Sequence, residues 1–212
     1  MTRGTGILAI WNHCTSGMED EYEAWYQTEH LLERLSIAGF QRGRRYEAIG
    51  LGGGYFTYYE TDRPEVLTSD AYLHHVNKPT PMTVRIMRDA MTEMSRTVCK
   101  RAYVQGQMRG AFAATLQTAQ LPPEAYLSDW AGSAARIVSI ARLEGWQAIS
   151  DGLAESTEAQ LRGGDARIES CLLVETLRES DCLKALDHLV CELGISDAKT
   201  GIYRLLCDLT SY

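Results

Sequence analysis

The spacing of apolar and polar residues divides the chain into segments with two different periods. Strand-like segments are rich in aromatic and β-branched residues, as in GILAIWNHC at 6–14 and YFTYYET at 55–61. Residues 18–37 instead repeat apolar positions at helical spacing, and Gly39 follows as a stop signal. For the first half of the chain we predict strands at 6–14, 40–49, 55–61 and 96–106 and helices at 18–37, 64–75 and 82–93.

The second half repeats this order of elements. Pro122 and Pro123 stand where a helix would begin, and SDCLKALDHLVCELG starts with capping residues and ends at Gly194. We therefore predict strands at 110–118, 143–149, 168–177 and 199–210, with helices from 122 onward and at 180–194.

Two short echoes support a tandem duplication. LSIA at 35–38, at the end of the first long helix, matches VSIA at 138–141, which we place at the end of the second. YEAI at 46–49 matches WQAI at 146–149 in the strand that follows. The sequence thus predicts an α+β fold of two tandem ferredoxin-like βαββαβ repeats, whose antiparallel sheets pack as an intramolecular, pseudo-dimeric α+β barrel.

Composition and charge argue against nucleic-acid-binding, membrane-spanning and secreted proteins. The 212 residues carry a formal net charge of −7, with acidic and basic residues interspersed, so no basic stripe is available to bind nucleic acid. No apolar run approaches the roughly 20 residues that cross a bilayer, and the N-terminus lacks the pattern of a signal peptide. We expect a cytoplasmic protein without membrane partners. Its six cysteines, scattered without a CxxC pair, are expected to be reduced rather than to bind zinc.

Three motifs of the first half resemble the EthD-type branch of the dimeric α+β barrel superfamily. They are EYEAWYQTEHLLERL at 21–35, GFQRGRRY at 39–46 and PTPMT at 79–83, and the resemblance covers roughly residues 6–105. It implies the barrel fold. The chemistry it implies is broad, because the superfamily includes cofactor-free monooxygenases, polyketide cyclases, isomerases, decarboxylases and haem-binding relatives.

The first long helix carries the two strongest catalytic candidates, Glu29 and His30. On a regular helical wheel with Met18 at zero, the apolar arc runs from about 220° round to about 80°, and Glu29 falls inside it at about 20°. A carboxylate there must find a partner or take up a proton, so it either pairs with an arginine of the following strand or serves in proton transfer. His30 falls at about 120°, just outside the arc, where a half-exposed boundary residue is the alternative to a general acid or base. The resemblance favours catalysis, because EthD-like proteins have their signature histidine at this place.

The remaining candidates surround the same predicted cavity between helix and sheet. We expect Trp25, Tyr26 and Tyr59 to form an aromatic wall, and Asn12 and Arg45 to hold a carbonyl or carboxylate group. His74 is our candidate from the second helix of this half, although its neighbour His75 is an alternative, since adjacent helical residues point about 100° apart.

We expect the N-terminal repeat, residues 1–107, to carry the site and the C-terminal repeat, residues 108–212, to be mainly structural. The leading hypothesis is a cofactor-independent enzyme, of lyase or isomerase and cyclase type, for a small hydrophobic, aromatic or polyketide-like substrate. His30 would shuttle a proton, and no cofactor or metal ion is expected. The alternatives are a non-catalytic small-molecule binding protein and a cofactor-free or haem-dependent monooxygenase. The barrel would act as a monomeric pseudo-dimer or as a homodimer.

Overall fold

Eight antiparallel strands close into a single barrel in the computed structural model, which describes residues 4–50, 53–134, 138–149, 156–194 and 199–211. The strands of these described residues are β1 (Gly6–Cys14), β2 (Phe40–Ala48), β3 (Tyr55–Thr61), β4 (Met91–Gln105), β5 (Phe112–Thr118), β6 (Ile140–Ala148), β7 (Ser170–Thr176) and β8 (Lys199–Thr210).

The order of the strands around the barrel shows the internal repeat. Neighbours follow the order β1-β3-β2-β8-β5-β7-β6-β4, so the first half contributes β4-β1-β3-β2 and the second contributes β8-β5-β7-β6 in the matching order. The halves join where β2 pairs with β8 and where β4 pairs with β6. The predicted α+β fold, two ferredoxin-like repeats forming one pseudo-dimeric barrel, is therefore confirmed.

Helices cover the outside of the barrel. The first half has one continuous helix made of α1 (Glu19–Trp25), a π-helical segment (Tyr26–His30) and α2 (Leu31–Ser36), then a 3₁₀ helix (Pro64–Thr68), α3 (Asp70–Asn77) and α4 (Pro81–Asp89). The second half has α5 (Glu124–Ala134), α6 (Thr157–Leu161) and α7 (Glu179–Leu193). Of these helices, α6 has no counterpart in the predicted elements.

Two predicted boundaries are wrong. The helix predicted at 82–93 ends at Asp89, because the residues from Met91 onward pair with β1 as the start of β4. VSIA at 138–141 does not close a helix: α5 ends at Ala134, and Ile140 begins β6. The pairing of Ile140 with Thr176 of β7 decides this boundary.

Alternating residues of β1 face two different cores. Leu8 and Ile10 pack beneath the helices of the first half, whereas Ile7, Ala9 and Trp11 point into the barrel. The residues of β3 alternate in the same way, since Phe56 and Tyr58 lie inside the barrel and Tyr59 lies under the helices. The first-half helices and the outer face of their sheet therefore enclose a core of their own.

Gly43 of β2 brings the first long helix close to the sheet. A Cβ atom at this position would lie 2.7 Å from Leu31 Cδ1 and 3.0 Å from the Tyr59 ring. Any larger residue would force Leu31 or Tyr59 to move, so the glycine within GFQRGRRY sets the distance between helix and strand.

A network of buried charges lies inside the barrel and joins its halves. Arg44 of β2 pairs with Glu175 of β7, which also accepts a hydrogen bond from Tyr58 Oη at 2.9 Å. Arg101 of β4 donates to Glu144 of β6 at 2.7 Å. Both carboxylates are fully buried. Burial raises the pKa of Glu144, but the neighbouring guanidinium groups, Arg101 first, outweigh it and lower that pKa to about 2.

All six cysteines are free thiols, as predicted. Among the described helices, none has both the length and the apolar character that a bilayer crossing needs. Within the same residues, no group of three or more His, Cys, Asp or Glu side chains is arranged to hold a metal ion.

The charge network predicts a large effect of Glu175→Gln on stability. The substitution keeps the side-chain size but removes the buried counter-charge of Arg44, whose other carboxylate partner is the partly exposed Asp208 at 3.2 Å. The loss of the buried partner costs up to about 3–5 kcal/mol of unfolding free energy. Urea unfolding measures the change, with Glu47→Gln as the control because Glu47 and its partner Arg204 are exposed. Equal losses in the two variants would contradict the role assigned to the network.

Candidate functional site

The first long helix contains a π turn at its centre. Over Tyr26–His30 the backbone follows the π pattern, and the Leu31 amide donates to the Tyr26 carbonyl, five residues earlier. A π turn holds more residues than an α turn, so side chains beyond it lag behind the angles of a regular wheel. Leu32 is accordingly 47% exposed, whereas Leu31 and Arg34 are buried.

His30 is turned inward by this change of register. Its side chain is not at a half-exposed boundary but is buried, with 4% of the residue exposed. The imidazole stacks on Trp25 with ring centroids 4.1 Å apart and meets the edge of Tyr26 at 5.3 Å. Burial lowers the pKa of His30 well below its ordinary value, and the positive charges of Arg34 and other arginines lower it further. His30 is therefore a neutral imidazole at neutral pH.

His30 lines a small cavity between the first-half helices and the sheet. The space open to the centre of a water molecule is about 20 Å³, enough for one or two waters. The lining comes from both halves of the chain and combines apolar, aromatic and charged side chains: Leu8, Ile10, Tyr26, His30, Arg34, Tyr59, Tyr72, Met87, Met91, Met94, Arg96, Glu158 and Arg162.

Two lining residues carry polar atoms without a partner among the described residues. These atoms are Nδ1 of His30 and the hydroxyl of Tyr59, and both are buried. Burial raises the pKa of Tyr59 well above its ordinary value, which keeps the phenol protonated. Each unmet buried hydrogen bond costs about 1–3 kcal/mol, which a molecule bound in the cavity could recover. Both residues therefore offer an unpaired polar atom for a ligand of this cavity.

Three arginines give the cavity wall its positive charge. Arg34 donates to Glu158 at 2.5 Å, which links the first helix to α6 of the second half. Arg162 makes two bonds to Asp165, at 2.9 and 2.7 Å. Arg96 donates to the Tyr72 hydroxyl, and within the described part of the chain it makes no ion pair with a carboxylate.

Glu29, predicted inside the apolar arc, packs against α4 instead of joining the cavity. Its carboxylate accepts hydrogen bonds from the hydroxyls of Thr80 and Thr83, and Thr83 in turn accepts one from Trp25 Nε1 at 3.0 Å. The arginines proposed as its partners are engaged elsewhere, since Arg45 binds Glu23 and the others bind Glu175 and Asp208. Glu29 thus secures the Trp25 ring on which His30 rests.

Asn12 and Arg45 lie in a neighbouring cluster rather than on the cavity wall. Asn12 exchanges hydrogen bonds with the Tyr22 hydroxyl at 2.9 and 3.1 Å. The Arg45 guanidinium lies over the rings of Tyr22, Tyr26 and Tyr55, at 4.9, 4.2 and 4.6 Å from their centroids. This cation–π packing fixes Tyr26, which faces the cavity, from its other side.

Neither histidine of α3 lines the cavity. His74 is exposed. His75 Nδ1 lies 2.8 Å from the Glu33 carboxylate, which also accepts a hydrogen bond from Arg34. His75 is therefore connected to the cavity wall only indirectly, because it contacts Glu33, and Glu33 binds the lining residue Arg34.

The charged part of the wall was not predicted from the sequence. Arg34 lies one turn beyond His30, and a wheel corrected for the π turn would have turned both residues inward together. Arg96 follows Met94 within a strand whose start was placed too late, so its face was not recognised. Glu158 and Arg162 belong to a short helical region of the second half that no sequence pattern indicated.

The described residues around this cavity do not fit haem, which the haem-dependent alternative would require. Binding sites for molecules of that size occupy about 300–1,000 Å³, far more than this cavity. His30 stacks between aromatic rings, and His75 is bound to a carboxylate. In the second half, His188 Nδ1 accepts a hydrogen bond from Trp130 Nε1 at 2.9 Å.

Solved structures share this fold at very low sequence identity, although neither a protein-family model nor a curated protein matches the sequence. An anthrone oxidase-like protein matches with a TM-score of 0.61 and 8% identity, over 98% of this chain and 94% of its own. A candidate monooxygenase from Fusobacterium nucleatum matches with a TM-score of 0.58 and 9% identity, over 99% and 96%. A candidate chlorite dismutase matches with a TM-score of 0.52 and 10% identity, over 96% of each chain. The neighbours are dimeric α+β barrel proteins, and at such identities they show the fold alone.

The lowered pKa of His30 predicts an acid-sensitive contribution to stability. The unfolded chain takes up this proton near pH 6.5, whereas the folded chain resists it, so stability is present above about pH 6.5 and is lost as the pH falls toward the folded-state pKa. Below about pH 6.5, the unfolding free energy of the wild type should fall more steeply than that of His30→Gln, by up to about 1.4 kcal/mol per pH unit. Urea unfolding at a series of pH values measures both slopes, and equal slopes would show that His30 is not a buried neutral base.

Proposed function

We propose that the protein is an enzyme that abstracts and returns a proton on a small aromatic or polyketide-like substrate, with His30 as the proton shuttle. The motif resemblance to EthD-type proteins and the shared barrel fold support a small-molecule enzyme. The observation that carries the proposal is the neutral, buried His30 on the wall of a cavity that is also lined by Tyr59, whose buried hydroxyl is unpaired.

The surroundings of His30 suit a base that acts on a weakly acidic C–H bond. One imidazole nitrogen would accept the proton, and the electron pair of the broken bond would move onto a substrate carbonyl oxygen to form an enolate. The positive charges of Arg34 and Arg96 would stabilise that anion in a poorly solvated site. Arg34 also lowers the pKa of His30, after burial and together with Arg162 and Arg45. It would therefore both keep the base neutral and stabilise the anion.

Aromatic packing would orient both the base and the substrate. Trp25 lies against His30, and Tyr26 and Tyr59 face the cavity, where they can stack on a planar ligand. Glu29 assists in this proposal as a positioning residue, because it holds Trp25 through Thr83.

The other sequence candidates take supporting places in the proposal. Asn12 and Arg45 hold the tyrosine cluster around Tyr26, and this position favours a supporting role over contact with a substrate carbonyl. His74, at the exposed surface of α3, would meet a substrate only along its way in.

Several reactions depend on proton transfer. Among them we favour isomerisation, cyclisation, elimination or decarboxylation, because these need only acid–base groups. Oxygenation would start from the same carbanion and would require O₂ as a second substrate. The names of two structural neighbours, an anthrone oxidase-like protein and a candidate monooxygenase, make this the second candidate.

The direct test follows proton exchange. Enolisable aromatic ketones, anthrone among them, are incubated with the protein in D₂O, and NMR measures deuterium uptake at the acidic carbon. His30→Asn should lower the catalysed exchange at least about 100-fold, the scale for loss of a general base. Gln27→Ala, an exposed change on the same helix, serves as the control and should leave the rate unchanged.

Exchange that persists in a folded His30→Asn variant would overturn the proton-shuttle role. Ligand binding that survives His30→Asn, with no exchange or turnover in either protein, would establish the binding-protein alternative instead.

Substitution of Glu29 distinguishes positioning from direct catalysis. Glu29→Gln keeps an oxygen that can accept from Thr83, so we expect the exchange rate to stay within about tenfold of the wild type. Glu29→Ala removes the support of Trp25 and should reduce the rate further. A loss of about 100-fold in Glu29→Gln would instead identify Glu29 as a proton carrier.

A further inference from the structure

The charges on the cavity wall are incompletely paired. Glu158 is the one carboxylate among the lining residues of the cavity, and it is bound to Arg34. Asp165, which does not line the cavity, forms an ion pair with Arg162. Among the described residues, Arg96 has only the neutral Tyr72 hydroxyl as a side-chain partner, at 2.6 Å. Arg34 also pairs with Glu33, and Asp165 and Glu158 act on Arg96 only from a distance. Among the described residues, Arg96 is therefore the guanidinium of the wall that has no carboxylate in direct contact.

Arg162 adds a second available donor. Its Nε and Nη2 atoms bind Asp165, but its Nη1 donates to the sulfur of Met87, 3.1 Å away. A thioether is a weak acceptor, and an oxyanion would replace it favourably. Arg96 and Arg162 thus present guanidinium groups to the same cavity that holds the unpaired atoms of His30 and Tyr59.

We propose that the ligand of this cavity is a small aromatic carboxylic acid, bound as its carboxylate by Arg96 and Arg162 with its ring toward His30 and Tyr59. The inference rests on the proposed function for the identity of the site and adds the substrate class. A carboxylate can accept from both guanidinium groups at once, whereas a neutral amide or ketone would leave the charge of Arg96 unmatched.

A ring-sized ligand needs more space than the present 20 Å³. The wall contains groups that can yield, because Met87, Met91 and Met94 have flexible side chains. The five-residue helix α6 carries Glu158 and is also held by the hydrogen bond from the Thr157 amide to Asn77, at 3.0 Å. Movement of Glu158 away from Arg34, which keeps Glu33 as a carboxylate partner at 3.1 Å, would release this part of the wall while the ligand carboxylate binds Arg96 and Arg162.

The test compares benzoate with its neutral isostere benzamide by titration calorimetry on the full chain. The wild type should bind benzoate and prefer it clearly over benzamide. Arg96→Gln should weaken benzoate binding at least tenfold without changing benzamide, and Arg96→Lys should restore part of the loss. Arg88→Gln removes an equal charge from an exposed site on α4 and should leave benzoate binding unchanged.

Several results would overturn the inference. These are benzoate binding to Arg96→Gln as tight as to the wild type, benzamide binding to the wild type as tight as that of benzoate, and the absence of saturable benzoate binding by the wild type. A merely structural role of Arg96 would change the melting temperature or both affinities together, and not the preference for benzoate. Failure of the proton-shuttle role appears separately, as exchange retained by His30→Asn while the benzoate preference of the wild type stays intact.

Discussion

The barrel depends on charge neutralisation between its two halves. Arg44 of the first half lies inside the barrel against Glu175 of the second, and Arg101 lies against Glu144. None of these groups could remain buried and charged alone, because desolvation of a single ion costs several kcal/mol. Each repeat therefore needs the other to satisfy its interior. In the closed barrel that results, the outer face of the first-half sheet is the surface against which the helices pack and the cavity forms.

In the first long helix, which packs on this face, a single π turn decides which side chains reach the cavity. It turns His30, Leu31 and Arg34 toward the sheet and leaves Leu32 at the surface. Gly43 permits the helix to approach closely enough for Trp25 and Tyr26 to enclose the imidazole. The neutral imidazole of His30, the aromatic rings and the positive charge of Arg34 are thus brought together because the π turn of the helix packs closely against the sheet.

The sequence predicted most of the fold and only part of the site. Period-two and helical patterns identified all eight strands and the duplication, because both depend on burial, which apolar spacing records directly. Tyr26 and Tyr59 were recognised for the same reason, whereas His30 was recognised through the resemblance to EthD-type proteins. Arg96 and Glu158 were not, because their function depends on contacts between distant segments. The inward position of His30 was misjudged, because a regular wheel assumes a constant turn and the π segment breaks that assumption.

A crystal structure of the full chain grown with benzoate tests the central claim, that the space beside His30 is a ligand site, most directly. The account predicts the benzoate ring between His30 and Tyr59, the carboxylate at Arg96 and Arg162, and Glu158 moved away from Arg34. A benzoate bound elsewhere, with His30 Nδ1 bonded to a protein group and the cavity closed, would contradict it.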